Sequence, residues 1–100
     1  MQLTEYTRFL KTLSNPKSLK IILLLRNGSK SVTEIYRELK FNQSTTSRHL
    51  NCLQCCGFVF VKVQAQKRIY SLNRKTIQPL MNLIEQHNRK YCNGVCNCHA

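Results

Sequence analysis

The sequence predicts a mainly α-helical domain with one β-hairpin, in the order of a winged helix-turn-helix. Three features carry that expectation. Apolar residues recur at three- and four-residue steps through much of the first half of the chain. Two helical stretches are separated only by Phe41 and Asn42. Directly after Gly57 the pattern changes to β-branched and aromatic residues.

Leu3, Tyr6, Leu10 and Leu13 place an amphipathic helix over residues 2–13. Asn15 is positioned to cap a second helix, with Pro16 at its first position, where a missing N–H costs nothing. That helix carries Leu19, Ile22, Leu23 and Leu25 and ends near Gly28. Ser31-Val32-Thr33-Glu34 has the spacing of a capping box and starts a short helix over about 32–40. Asn42 caps the next, from Gln43 to about Cys56. The runs 58–63 and 69–72 read as strands joined by the polar, basic link 64–68, which lacks the usual Asn-Gly turn. Thr76 is placed to cap a last helix, with Pro79 in its first turn and Ile77, Leu80, Met81, Ile84 and Tyr91 on one face.

One hundred residues suffice for one core, so residues 1–91 are expected to be a single DNA-binding domain. Residues 92–100 are expected to be a cysteine-rich tail too polar to add to the core. Sixteen Lys+Arg against four Asp+Glu give a net charge of +12, the balance of a protein that meets a polyanion. The longest aliphatic run, Ile21–Leu25, falls far short of the ~20 residues needed to cross a bilayer. The first residues lack the pattern of a signal peptide, so a cytoplasmic protein is expected. Six cysteines without an export signal read as thiols, metal ligands or redox switches rather than as a disulfide framework. Four acidic residues and no nucleophile-base constellation argue against an enzyme.

The Gln43 helix has two characters. Thr46, Leu50 and Leu53 form a stripe for burial, while Gln43, Ser44, Thr45, Ser47, Arg48 and His49 crowd its other side. Gln pairs bidentately with adenine and Arg with guanine, so this face suits base edges in double-stranded DNA. Lys62, Lys67 and Arg68 on the hairpin can reach flanking phosphates.

Leu13-Ser14-Asn15-Pro16-Lys17-Ser18-Leu19-Lys20-Ile21 and Gln43-Ser44-Thr45-Thr46-Ser47-Arg48-His49-Leu50 resemble the ArsR/SmtB family of metalloregulatory repressors. Cys56-Gly57-Phe58-Val59 and Tyr70-Ser71-Leu72 extend the resemblance over about residues 8–90. It implies a homodimer formed through the first and last helices, repressing at an operator until an effector releases it. The surplus apolar surface of those two helices independently points to dimerisation.

Two of the family's sensor sites are missing. Ser31-Val32-Thr33 stands where one uses Cys-x-Cys, and Arg74, Thr76, His87 and Lys90 stand where another uses carboxylates and histidines. Cys52-Leu53-Gln54-Cys55-Cys56 instead resembles the cadmium- and lead-sensing CmtR branch. Cys52 and Cys56 are spaced to share a helix face, with a third thiolate from Cys96 or Cys98. Soft thiolates suit cadmium, lead or arsenite, with zinc also open. The tail Cys92-x3-Cys96-x-Cys98-His99 has a separate reading, since three thiolates suit arsenite and adding His99 makes a Cys3His zinc set. Cys55 falls on a more exposed face and reads as a spectator. The blander alternative makes Cys52 and Cys56 small core residues of a metal-independent or redox-responsive regulator. A metal-buffering module that binds no DNA is a further alternative.

Overall fold

The helix α1 (Leu3–Ser14) passes into α2 (Pro16–Leu25) through Asn15, whose Oδ1 accepts the backbone N–H groups of Lys17 and Ser18 at 3.0 and 3.1 Å. This computed structural model describes residues 1–92. A two-residue strand β1 (Lys30–Ser31) leads into α3 (Val32–Leu39), and both arms of the Ser31/Glu34 capping box are formed. These hydrogen bonds hold the Glu34 carboxyl below its usual range. Lys40 ends α3 in the left-handed conformation, φ 58°, and Asn42 caps α4 (Gln43–Cys55) by accepting the Thr45 N–H at 2.7 Å. The strands β2 (Val59–Gln64) and β3 (Lys67–Leu72) follow, then α5 (Ile77–Tyr91).

The sheet has the order β1-β3-β2 and is antiparallel throughout. Ile21, Ile22 and Leu25 of α2 are fully buried with Ile35 of α3 and Leu50 and Leu53 of α4. Phe58, Val59, Tyr70 and Leu72 close this core from the hairpin, and Ile77 and Met81 from α5. Arg26 ties α2 to α5 by donating to Glu85 at 2.8 and 3.2 Å and to Asn82 at 2.9 Å. The same guanidinium holds the Glu85 carboxyl below its ordinary range.

Three details depart from the sequence expectations. Thr76 makes no side-chain cap; instead the Asn73 carbonyl accepts the Ile77 N–H at 2.9 Å. The hairpin link is two residues rather than five, because Gln64 and Lys67 pair and leave only Ala65 and Gln66 to turn. Both of those adopt positive φ, 48° and 65°, as a primed turn requires even without Asn-Gly.

The third concerns α1. Its core-facing side is Phe9, Thr12 and Leu13, with the Phe9 ring stacked on Phe58 at 4.7 Å between centroids. Leu3, Tyr6 and Leu10, predicted to share one stripe with Leu13, point away from this core and are 78%, 54% and 57% exposed. Leu83 and Tyr91 of α5 are likewise exposed, so both terminal helices carry apolar side chains that the protomer leaves uncovered.

Replacing Ala65 with Asn and Gln66 with Gly is expected to stabilise the protein by about 1 kcal/mol, because both positions then hold residues at ease with positive φ. Urea unfolding midpoints of the double variant and the parent protein measure the gain.

Candidate nucleic-acid interface

Helix α4 is held in rotation by its buried stripe. Thr46, Leu50 and Leu53 are fully buried, and the Thr46 hydroxyl donates to the Asn42 carbonyl at 3.0 Å. That rotation leaves Gln43, Ser44 and Arg48 exposed and Thr45, Ser47 and His49 half-buried along the flanks. His49 is anchored from behind, its Nδ1 lying 3.1 Å from the Oγ of buried Ser18 on α2. Burial, with Arg48 and Lys17 nearby, pushes the His49 imidazole below its usual pKa. Lys17 is itself positioned, its ammonium 5.6 Å from the centre of the Phe41 ring in the helix-turn-helix link.

Lys62, Lys67 and Arg68 are all exposed on the hairpin. Gln64 pairs with Lys67 and Val63 with Arg68, so strand alternation puts Lys62 and Lys67 on one face and Arg68 on the other. From Leu39 to Ile84 the chain contains no acidic residue. Its seven cations there, Lys40, Arg48, Lys62, Lys67, Arg68, Arg74 and Lys75, are all exposed. All four carboxylates are occupied outside this stretch: Glu5 and Glu34 in capping boxes, Glu38 with Lys30, Glu85 with Arg26. Helix α4 and the hairpin thus carry cations and no acidic residue, the electrostatic footprint for a polyanion.

Cys52, Cys55 and Cys56 sit at the other end of α4. Thr12 Oγ1 on α1 lies 3.6 Å from the Cys56 sulfur and 3.9 Å from the Cys52 sulfur, so both side chains converge on one hydroxyl. That hydroxyl donates its proton to the Arg8 carbonyl at 3.0 Å, leaving its lone pairs to accept from the thiols. Cys52 and Cys55 are exposed and Cys56 is half-buried; these three and Cys92 are free. Among the described residues no three Cys, His, Asp or Glu side chains come together as a metal site. Cys96 and Cys98, expected to supply the third thiolate, lie outside the described residues, as does His99. His87 rests against Tyr91, 5.3 Å between ring centres.

The family model for "bacterial regulatory protein, arsR family" matches residues 15–60, the span from the α2 cap into β2. The chain is 31% identical over 75 residues to the arsenical resistance operon repressor of Staphylococcus xylosus, covering 75% of this chain and 72% of that one. The chain belongs to the arsR family. It is also 29% identical over 76 residues to the probable mercury resistance operon repressor of Streptomyces lividans, covering 76% of this chain and 61% of that relative. Among solved structures, it matches the homodimeric winged helix-turn-helix DNA-binding domain from Mycobacterium bovis with a TM-score of 0.79. That match has 25% identity and covers 87% of this chain and 81% of that one. The protein is thus an arsR-family winged-helix DNA-binding regulator, a family of non-enzymes. No described helix is long and apolar enough to cross a membrane.

Because folding lowers the His49 pKa, the unfolded chain takes up a proton first as pH falls. The stability this neutral imidazole contributes is full above about pH 6.5 and is lost progressively as pH drops through that value. Denaturant unfolding at stepped pH is expected to show this loss, and His49→Asn is expected to flatten it.

Proposed function

We propose that this chain is a homodimeric transcriptional repressor whose affinity for its DNA operator falls when its cysteine thiolates take a thiophilic ion. The observation that carries the reading is the convergence of the Cys52 and Cys56 sulfurs on Thr12, which brings two thiols together at the α1–α4 contact. Cys52 also lines the same cleft as Arg48 and His49, so chemistry at the sulfur bears directly on the DNA-facing side of α4.

Gln43, Ser44, Thr45 and Ser47 face the base edges of the major groove, with Arg48 and His49 beside them. Lys62, Lys67 and Arg68 hold the flanking backbone. A second copy of the chain covers Leu3, Tyr6 and Leu10 of α1 with Leu83 and Tyr91 of α5. The homodimeric state of the M. bovis domain supports a two-copy assembly. Dimerisation sets the spacing of the two α4 helices on successive half-sites.

The donor set suits a soft ion, since two thiols share a face against the Thr12 hydroxyl. Cys96 or Cys98 supplies a third thiolate, and cadmium, lead and arsenite are the candidate effectors. Holding Cys52 and Cys56 on one ion with a tail thiolate ties the C-terminal end of α4 to the chain beyond α5 and displaces it from its packing against Thr12. Each recognition helix then shifts as a rigid unit from the position its half-site needs. The relatives described as repressors of arsenical and mercury resistance operons support an effector of this chemical class.

The test is fluorescence anisotropy of fully reduced protein on its own upstream DNA, with and without stoichiometric cadmium. Cadmium is expected to weaken binding about 5- to 150-fold, the range of ordinary allosteric coupling, and Cys52→Ser to abolish the effect. Binding that ignores cadmium, lead and arsenite alike would contradict the thiolate switch. Exposure of Cys52 and Cys55 favours a redox-responsive second reading in that event, tested by the same assay without reductant.

A further inference from the structure

Taken along its own helix, Lys11 is a solvated lysine in the last turn of α1. The packing of α1 across α4 changes its neighbours. Lys11, Thr12, Ser18, Arg48, His49 and Cys52 line one cleft of about 300 Å³ where α1, α2 and α4 meet. No carboxylate lines it. The α1 acid Glu5 lies well along the helix from Lys11, with its carboxylate taken up by the Gln2 N–H at 3.0 Å. Two cationic side chains from different helices therefore face one concavity, and no carboxylate on its walls neutralises them. Arg48 and His49 belong both to this cleft and to the flank of the base-facing surface, so the cleft borders the position of a bound duplex.

We propose that the cleft seats one backbone phosphate of the DNA, with Lys11 and Arg48 as its cationic donors. This rests on the reading of α4 as the DNA-recognition helix, and it adds α1 to the protein's footprint. Arg48, held at the cleft, positions the protein on the backbone, and sequence discrimination falls to Gln43, Ser44, Thr45 and Ser47. Lys11 contributes to affinity without contributing to sequence preference. His49, wedged between Arg48 and Ser18, reports on the occupant.

The experiment measures the salt dependence of DNA affinity for the full-length protein, on its own upstream DNA and on a scrambled duplex. Each phosphate contact contributes about 0.9 to the slope of log affinity against log salt. Lys11→Ala is expected to flatten that slope by about one unit per protomer on both duplexes, leaving their affinity ratio unchanged. Lys11→Arg is expected to restore it. Lys20→Ala, a charge loss two residues beyond Ser18 and so turned to another side of α2, is the control and is expected to leave the slope closer to that of the parent. In the DNA-free protein, inorganic phosphate is expected to move the His49 ring resonances, and to stop doing so in Lys11→Ala.

An unchanged slope in Lys11→Ala overturns the proposal. Phosphate-induced shifts of His49 alongside that unchanged slope would make the cleft a free-oxyanion site instead. Equal slope losses in Lys11→Ala and Lys20→Ala would reduce the effect to overall charge and overturn it as well. If the parent protein binds neither duplex, the DNA-recognition reading fails and this proposal with it; parent binding with an insensitive Lys11 sinks the cleft alone.

Discussion

The burial of Thr46, Leu50 and Leu53 fixes the rotation of α4, and every functional surface of the molecule depends on that rotation. With these three side chains fully enclosed, turning the helix about its axis within the protomer would expose them. Its first two turns then have to present Gln43, Ser44 and Arg48 outward. Its last turn has to bring Cys52 and Cys56 against Thr12 of α1. A Leu→Ala change in such a core costs about 2–5 kcal/mol, a large share of what a domain this small has to spare. One helix therefore carries a polar, cationic end and a sulfur-bearing end in a single rigid register. A displacement imposed at one end is transmitted to the other because packed interiors do not deform continuously.

Around that helix the charge is segregated rather than merely abundant. All four carboxylates are used in helix caps or in ion pairs, and none belongs to α4. The stretch from Leu39 to Ile84 is left without one. The two ion pairs contribute little to stability at the surface. Helix α4 and the hairpin carry no acidic group of their own.

Much of this was legible in the sequence because the signals were local. Asn15, Ser31 with Glu34, and Asn42 announce three helix starts through side-chain chemistry acting within four residues, and all three caps are present. The α4 stripe followed from helical periodicity. Tertiary choices were not legible. The turn at Ala65 and Gln66 carries neither Gly nor Asn, so nothing local marks its positive φ; only the cross-strand pairing of Gln64 with Lys67 imposes it. The apolar residues of α1 split between two faces, Phe9 and Leu13 turned inward and Leu3, Tyr6 and Leu10 outward. Periodicity cannot tell a face that meets its own core from one left uncovered. The shared cleft of Lys11, Arg48 and Cys52 joins residues some forty positions apart and exists only once α1 crosses α4.

The central claim is that the sulfur-bearing end of α4 and its DNA-facing end are energetically coupled. Linkage makes this directly measurable, because an ion that weakens DNA binding has to be bound more weakly, by the same factor, when DNA is present. Isothermal titration of reduced protein with cadmium, free and saturated with its upstream DNA, compares the two affinities. The account predicts weaker cadmium binding in the DNA complex, by a factor matching the loss of DNA affinity that cadmium causes. Equal cadmium affinity in both states would contradict it.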